Sequence, residues 1–142
     1  MQVAIKIGAI VVALLAGFFA QDFFASHNQA VVKPSLDKYC LLSTSLCAQN
    51  NVTMSMNQDP PHPLVPITLT VNWPETHSKE LILQLTGLEM EMGRPIFKLN
   101  QIRQGAFQGK IILPACTLNS MTWLGELTDG VHTVYPAIRT KQ

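Results

Sequence analysis

A chain of 142 residues, 47% hydrophobic and only 13% charged, is long enough for one domain of ~100–200 residues with a short segment to spare. Its formal net charge of +1 comes from 10 basic and 9 acidic side chains, and setting Lys6 aside leaves nine of each. Nucleic acid and anionic lipid headgroups therefore find no electrostatic support as partners. No nucleotide-binding glycine loop, paired-cysteine zinc motif or G-x-S-x-G nucleophile turn occurs either.

The apolar run begins at once. From Val3 to Ala20 the chain reads VAIKIGAIVVALLAGFFA, broken only by Lys6, and Phe23 and Phe24 prolong it. A membrane span takes ~20 mostly apolar residues, and a lysine near its end reaches the headgroups. The competing reading, a cleaved signal peptide, wants small residues at the last and third-last positions before the cut. Before a cut after Ala20 the third-last residue is Phe18, and before one after Ala25 it is Phe23. The spacing favours an uncleaved transmembrane helix within an N-terminal membrane anchor, residues 1–25. Lys6 and the amino terminus lie on one side of it and Asp22 on the other, which puts the N-terminus in the cytoplasm. The expectation is a single-pass protein of the inner membrane with its C-terminal domain in the periplasm.

Residues 26–51 read as a tether carrying a cysteine segment. Gln21 to Lys33 is polar and unpatterned, and Leu36 to Cys47 mixes weak helical spacing with a Ser/Thr cluster, enough for a short turn or helix. An exported domain can keep disulfides. Cys40, Cys47 and Cys116 make an odd set, so at most one internal pair forms. Joining Cys40 to Cys47 would close a small loop, and joining either to Cys116 would pin the segment onto the domain. Spacing does not choose between them.

Residues 52–142 carry a period-two pattern. Val52 to Met56 alternates, the proline-rich DPPHPLVP (Asp59 to Pro66) interrupts, and ITLTVNW then places Ile67, Leu69, Val71 and Trp73 on one face. Leu81, Leu83 and Leu85 repeat this, followed by Phe97 and Leu99, by Phe107, Ile111 and Leu113, by Met121, Trp123 and Leu127, and by Val131 and Tyr135. The breaks fall at Pro74, Gly93-Arg94-Pro95, Gln104-Gly105, Pro114 and the hairpin signal Asp129-Gly130. Short half-buried strands at this spacing, with no amphipathic helix between them, predict an all-β, immunoglobulin-like β-sandwich.

Within it, LEMEMG (Leu88 to Gly93) is the stretch nearest to a chemical statement. Parity moves from odd to even positions around Gly87, so Leu88, Met90 and Met92 are expected on one face of a strand end, with Glu89 and Glu91 in water. Two thioethers on one face can reach one ion, and soft sulfur prefers Cu(I). Methionine stripes more commonly fill irregular core space. Met54 and Met56 form a second Met-x-Met, and with His62 and Cys116 they complete a sulfur-and-imidazole donor set. His62, His77 and His132 read more simply as solvated side chains, and His27 lies in the tether.

From Pro66 to Ile138 the order of features resembles the FixH/YtkA-like group of membrane-anchored, exported β-sandwich domains. LTGLEMEMG, GAFQGKIILP, MTWLGEL and the closing Asp-Gly hairpin carry the resemblance. It implies copper handling or a part in maturing haem-copper oxidases, with copper as cofactor and another exported or membrane protein as partner. The chain departs from that pattern in PACTLNSMTW, where Cys116 precedes Met121 and the tryptophan, and in the cysteine segment from Tyr39 to Cys47. A thiol at Cys116 would serve as a copper ligand or as half of a disulfide.

No nucleophile stands near a base and an orienting acid, so no enzymatic activity is expected. The alternative to a copper-binding accessory protein is a structural or protein-interaction module with one disulfide and no metal. Thiol–disulfide exchange is the weaker rival, since C-x6-C is not the C-x-x-C of oxidoreductases.

Overall fold

The structure, a computed structural model, describes residues 35–141. The anchor expected over 1–25 and the first part of the tether lie outside the described residues. Among the described residues no helix is long and apolar enough to cross a membrane.

A 3-10 turn, Leu36–Lys38, leads into β1 (Cys40–Leu41), β2 (Cys47–Gln49) and β3 (Val52–Met56). Then follow β4 (Ile67–Asn72), β5 (Glu80–Gly87), β6 (Ile96–Arg103) and β7 (Ala106–Ile111), and finally β8 (Ser120–Thr128), β9 (Thr133–Val134) and β10 (Pro136–Lys141). The described residues are all-β, as their alternation predicts. Their strands hydrogen-bond in the order β1-β10-β8-β5-β6-β7-β4-β3-β2, with β9 beside β8. Among the described residues only β1 and β10 pair in parallel.

Alternation fixes the register. In β5, Leu81, Leu83 and Leu85 are fully buried, while Ile82 and Gln84 between them are half-covered. A one-residue slip would expose all three leucines, a cost of roughly 5–9 kcal/mol at the usual value per apolar side chain. Met54 and Met56 of β3 point inward in the same way, opposite Val71 and Leu69 of β4. Met121 and Trp123 of β8 complete the core against Thr140 and Ile138 of β10.

The two ends of the strand order meet, which makes the sheet barrel-like. Cys40 in β1 and Cys47 in β2 form the disulfide, with their Cα atoms 6.1 Å apart. The Met56 amide donates to the Ser43 carbonyl at 2.8 Å. Gln49 spans the seam, its Nε2 donating to the Lys38 carbonyl at 2.8 Å and its Oε1 accepting from the Tyr135 amide. Tyr135 can serve the seam because it interrupts β8's neighbour between β9 and β10. β9 and β10 keep one register against β8 across Tyr135, which sets Pro136 against Gly125, where a Cβ would stand only 2.8 Å from the Pro136 carbonyl oxygen.

The cysteine segment therefore differs from its expected form. The expected short turn is present as Leu36–Lys38, but the rest of the segment is no tether: it supplies β1 and β2 and closes the sheet. Its apolar signal is a single buried residue, Leu42, too little to register as alternation. Of the pairings left open by the cysteine count, Cys40–Cys47 forms, and Cys116 stays outside the disulfide. The closing strand β10 also extends past Tyr135, where the sequence pattern ended.

Candidate functional site

β3, β5, β7 and β10 finish at one end of the barrel, where β4, β6 and β8 begin. The connections 42–46, 57–66, 88–95 and 112–119 gather there. They carry His62, Met90, Met92 and Cys116, with Met56 at the last position of β3 and Met121 near the start of β8.

LEMEMG is not a strand end. β5 stops at Gly87, and the Leu88 amide adds one last ladder bond to the Thr122 carbonyl at 2.9 Å. The chain then folds back so tightly that the Met90 carbonyl oxygen and the Met121 Cε methyl occupy the place of a Gly87 Cβ. Met90 ends up exposed at 37%, whereas Met92 is half-buried and packs on the core. The expectation that both thioethers share one strand face is corrected. Both glutamates are exposed as expected, and the Glu89 carboxylate also accepts from the Thr122 amide at 2.7 Å and from the Thr122 hydroxyl at 2.8 Å.

The other expected ligands occupy three different settings. Met54 and Met56 are core residues, at 0% and 4% exposure. Cys116 is buried, with its Sγ 3.5 Å from the Leu118 carbonyl oxygen. His62 is exposed, and its Nδ1 lies 3.1 Å from the Lys141 carbonyl oxygen, linking the β3–β4 connection to β10. Met54, Met56, Cys116 and Met121 all belong to the one hydrophobic core of the domain, together with Trp123, Phe107 and the strand leucines, and Met92 packs against that core. Among the described residues no group of three or more His, Cys, Asp or Glu side chains could hold a metal ion. A soft-metal site at this end must therefore draw on methionine sulfur.

The opposite end holds a cavity of about 630 Å³ walled by Trp73, Glu75, Val131, His132 and Tyr135. The Tyr135 ring carries the Lys38 Nζ at 3.6 Å from its centroid and meets the Tyr39 ring edge-on at 5.8 Å. Burial, reinforced by the Glu126 charge, raises the Tyr39 pKa above its usual 10.0. Sequence reading missed the roles of Gln49, Glu89 and Tyr135, because each acts through a long-range backbone partner that no local motif marks. No family model matches the chain, and neither a curated protein nor a solved structure matches it.

Proposed function

We propose that this chain is a non-catalytic accessory protein, anchored in the inner membrane by its N-terminus, whose periplasmic β domain binds Cu(I) and serves haem-copper oxidase assembly. The observation that carries the reading is that Met56, Met92, Cys116 and Met121 all lie at or beside the strand ends on one side of the barrel, three of them buried in the core and Met92 packed against it. Thioether and thiol sulfur are the donors Cu(I) prefers. Met92 and Cys116 would hold the ion, with the exposed Met90 and the buried Met56 as further sulfur donors at the same end. Met54 lies deeper along β3, and His62 is engaged with Lys141, so both are weaker members of the set. Bound copper would supply a soft cation that a partner's sulfur ligands can take over. The resemblance to FixH/YtkA-like domains supports the same role, and the interstrand disulfide supports an oxidising compartment.

The strand order also supports an immunoglobulin-like sandwich. In that reading β3, β4, β7 and β6 form one layer and β5, β8 and β10 the other, with β6 bridging to β5.

A Cu(I) competition titration of the full-length chain against a chelator of known affinity tests the metal reading. Binding that is weakened both by Met90→Leu with Met92→Leu and by Cys116→Ala supports it. Affinity unchanged by these substitutions removes the residues from the site. A second reading, a protein-interaction module without metal, is favoured by the exposed Leu46, Leu64, Val65 and Ile112 on connections at this same end. A folded chain that fails to compete for Cu(I) would favour it.

A further inference from the structure

β1 and β2 are held to the sheet in different places. β1 pairs only with β10, through Cys40 opposite Pro136 and Leu41 opposite Ala137. β2 pairs only with β3, placing Cys47 directly opposite Met54. Between them the chain crosses the end of the seam. Leu42 inserts into the core at 2% exposure, and the Ser43 carbonyl accepts the Met56 amide at 2.8 Å. The edge of β3 that β4 leaves open is thus covered by residues 42–49, alongside the backbone of Met54 and Met56. Next to this cover is a surface cavity of about 330 Å³, bounded by Leu41, Leu42, Ser43, Asp59, Pro60 and the end of β10.

From this geometry we infer that residues 40–47 are a disulfide-latched strap gating access to the Met54 and Met56 thioethers. With the disulfide intact, releasing β1 from β10 does not free the strap, because Cys47 still holds it to β3, and the converse is equally true. Both attachments must break together. Once the disulfide is reduced, each short strand can peel away independently, and local opening needs only Leu42 and a few ladder bonds to let go. Cys40 and Cys47 are both half-buried rather than sealed in, so a small or protein dithiol can reach the bond. One thiolate of that dithiol attacks a sulfur of the Cys40–Cys47 bond to form a mixed disulfide. Its second thiol then attacks the dithiol's own sulfur in that mixed disulfide and displaces the protein cysteine, so two electrons and two protons pass to Cys40 and Cys47 and the dithiol leaves oxidised to its own disulfide. The strap does not depend on copper, since the chemistry it gates is access to sulfur.

Peroxide footprinting of the full-length chain tests the strap, with each methionine's conversion to sulfoxide followed by peptide mass. In the oxidised protein Met90 should react quickly, and Met54, Met56 and Met121 slowly. With Cys40 and Cys47 both replaced by serine, so that peroxide cannot re-form the bond, Met56 should react on the order of tenfold to a hundredfold faster, with Met121 unchanged. Met56 staying as protected as Met121 would overturn the strap. So would Met121 accelerating in parallel, because the whole domain would then have opened. Hydrogen exchange at the Met56 amide gives a second reading that needs no variant. Its rate should rise on reduction while the ladder amides between β5 and β8 keep theirs, and an unchanged Met56 rate counts against the inference.

Discussion

The Glu89 carboxylate holds Thr122 by both its backbone amide and its hydroxyl, at 2.7 and 2.8 Å. A side chain from the connection after β5 thereby completes the ladder that β5 itself no longer supplies to β8. Thr122 is buried, so removing the acceptor strands an amide donor with little access to water. Glu89→Ala should cost about 1–3 kcal/mol by urea unfolding. Thr122→Val removes only the hydroxyl bond and should cost less. The two effects should fall short of additive in the double variant, because they share one interaction. Additive costs would show that Glu89 stabilises the fold by some other contact.

Gly87 is the residue that lets this fold-back happen. A methyl group there would overlap the Met90 carbonyl oxygen, which is backbone and cannot swing aside as the Met121 Cε can. Gly87→Ala should therefore destabilise by about 1–3 kcal/mol and shift the 88–92 connection. Gly93→Ala is the comparison. Nothing lies near its Cβ position, and its φ of +76° leaves only the left-handed backbone cost, about 1–2 kcal/mol. Amide chemical shifts separate the two. Gly87→Ala should perturb Thr122, and Gly93→Ala should leave it in place.

Period-two alternation made most of the strands legible. Val52–Met56, Ile67–Asn72 and Glu80–Gly87 bury the residues their parity demands, because one-sided burial enforces register. The same rule failed at LEMEMG. Alternating Leu88, Met90 and Met92 look like a strand, yet the backbone crowding at Gly87 and the reach of Glu89 to Thr122 decide the conformation. Neither effect has a sequence period. β1 and β2 were illegible for a different reason. Two- and three-residue strands carry no pattern, and what holds them is a disulfide, the Gln49 side chain and one buried leucine. The donor residues at the methionine end were all visible as types, but which of them share the buried cluster depends on strand pairing.

The Cys40–Cys47 disulfide closes a loop across a sequence separation of seven. In the chain-entropy account a loop this short stabilises the fold by about 2–3 kcal/mol. Replacing both cysteines by serine should lower the urea midpoint by a matching amount. Under reducing conditions, where parent and variant both lack the bond, the difference between their midpoints should shrink. If the two proteins differ as much under reducing as under oxidising conditions, the stabilisation comes from the cysteine side chains themselves rather than the link.

Asp129 sets an acid limit on the hairpin between β8 and β9. Burial by itself raises a carboxyl pKa, but here the His132 and Val131 amides, at 2.7 and 2.9 Å, outweigh it together with the Thr76 hydroxyl and the His132 charge. The net result lies below the usual 3.8. A folded-state pKa below the unfolded one means that the unfolded chain takes up the proton first. The stabilisation is therefore fully present above about pH 4 and disappears as pH falls through the lower folded value. Asp129→Asn should be less stable than the parent at neutral pH and should lose less stability on acidification from about pH 5 to pH 2. The remaining carboxylates titrate in both proteins, so the difference between the two curves isolates this one group. Parallel curves would mean that the Asp129 carboxylate binds its proton equally well in the folded and unfolded chain, and that the amide contacts to Val131 and His132 contribute nothing specific to its charged form.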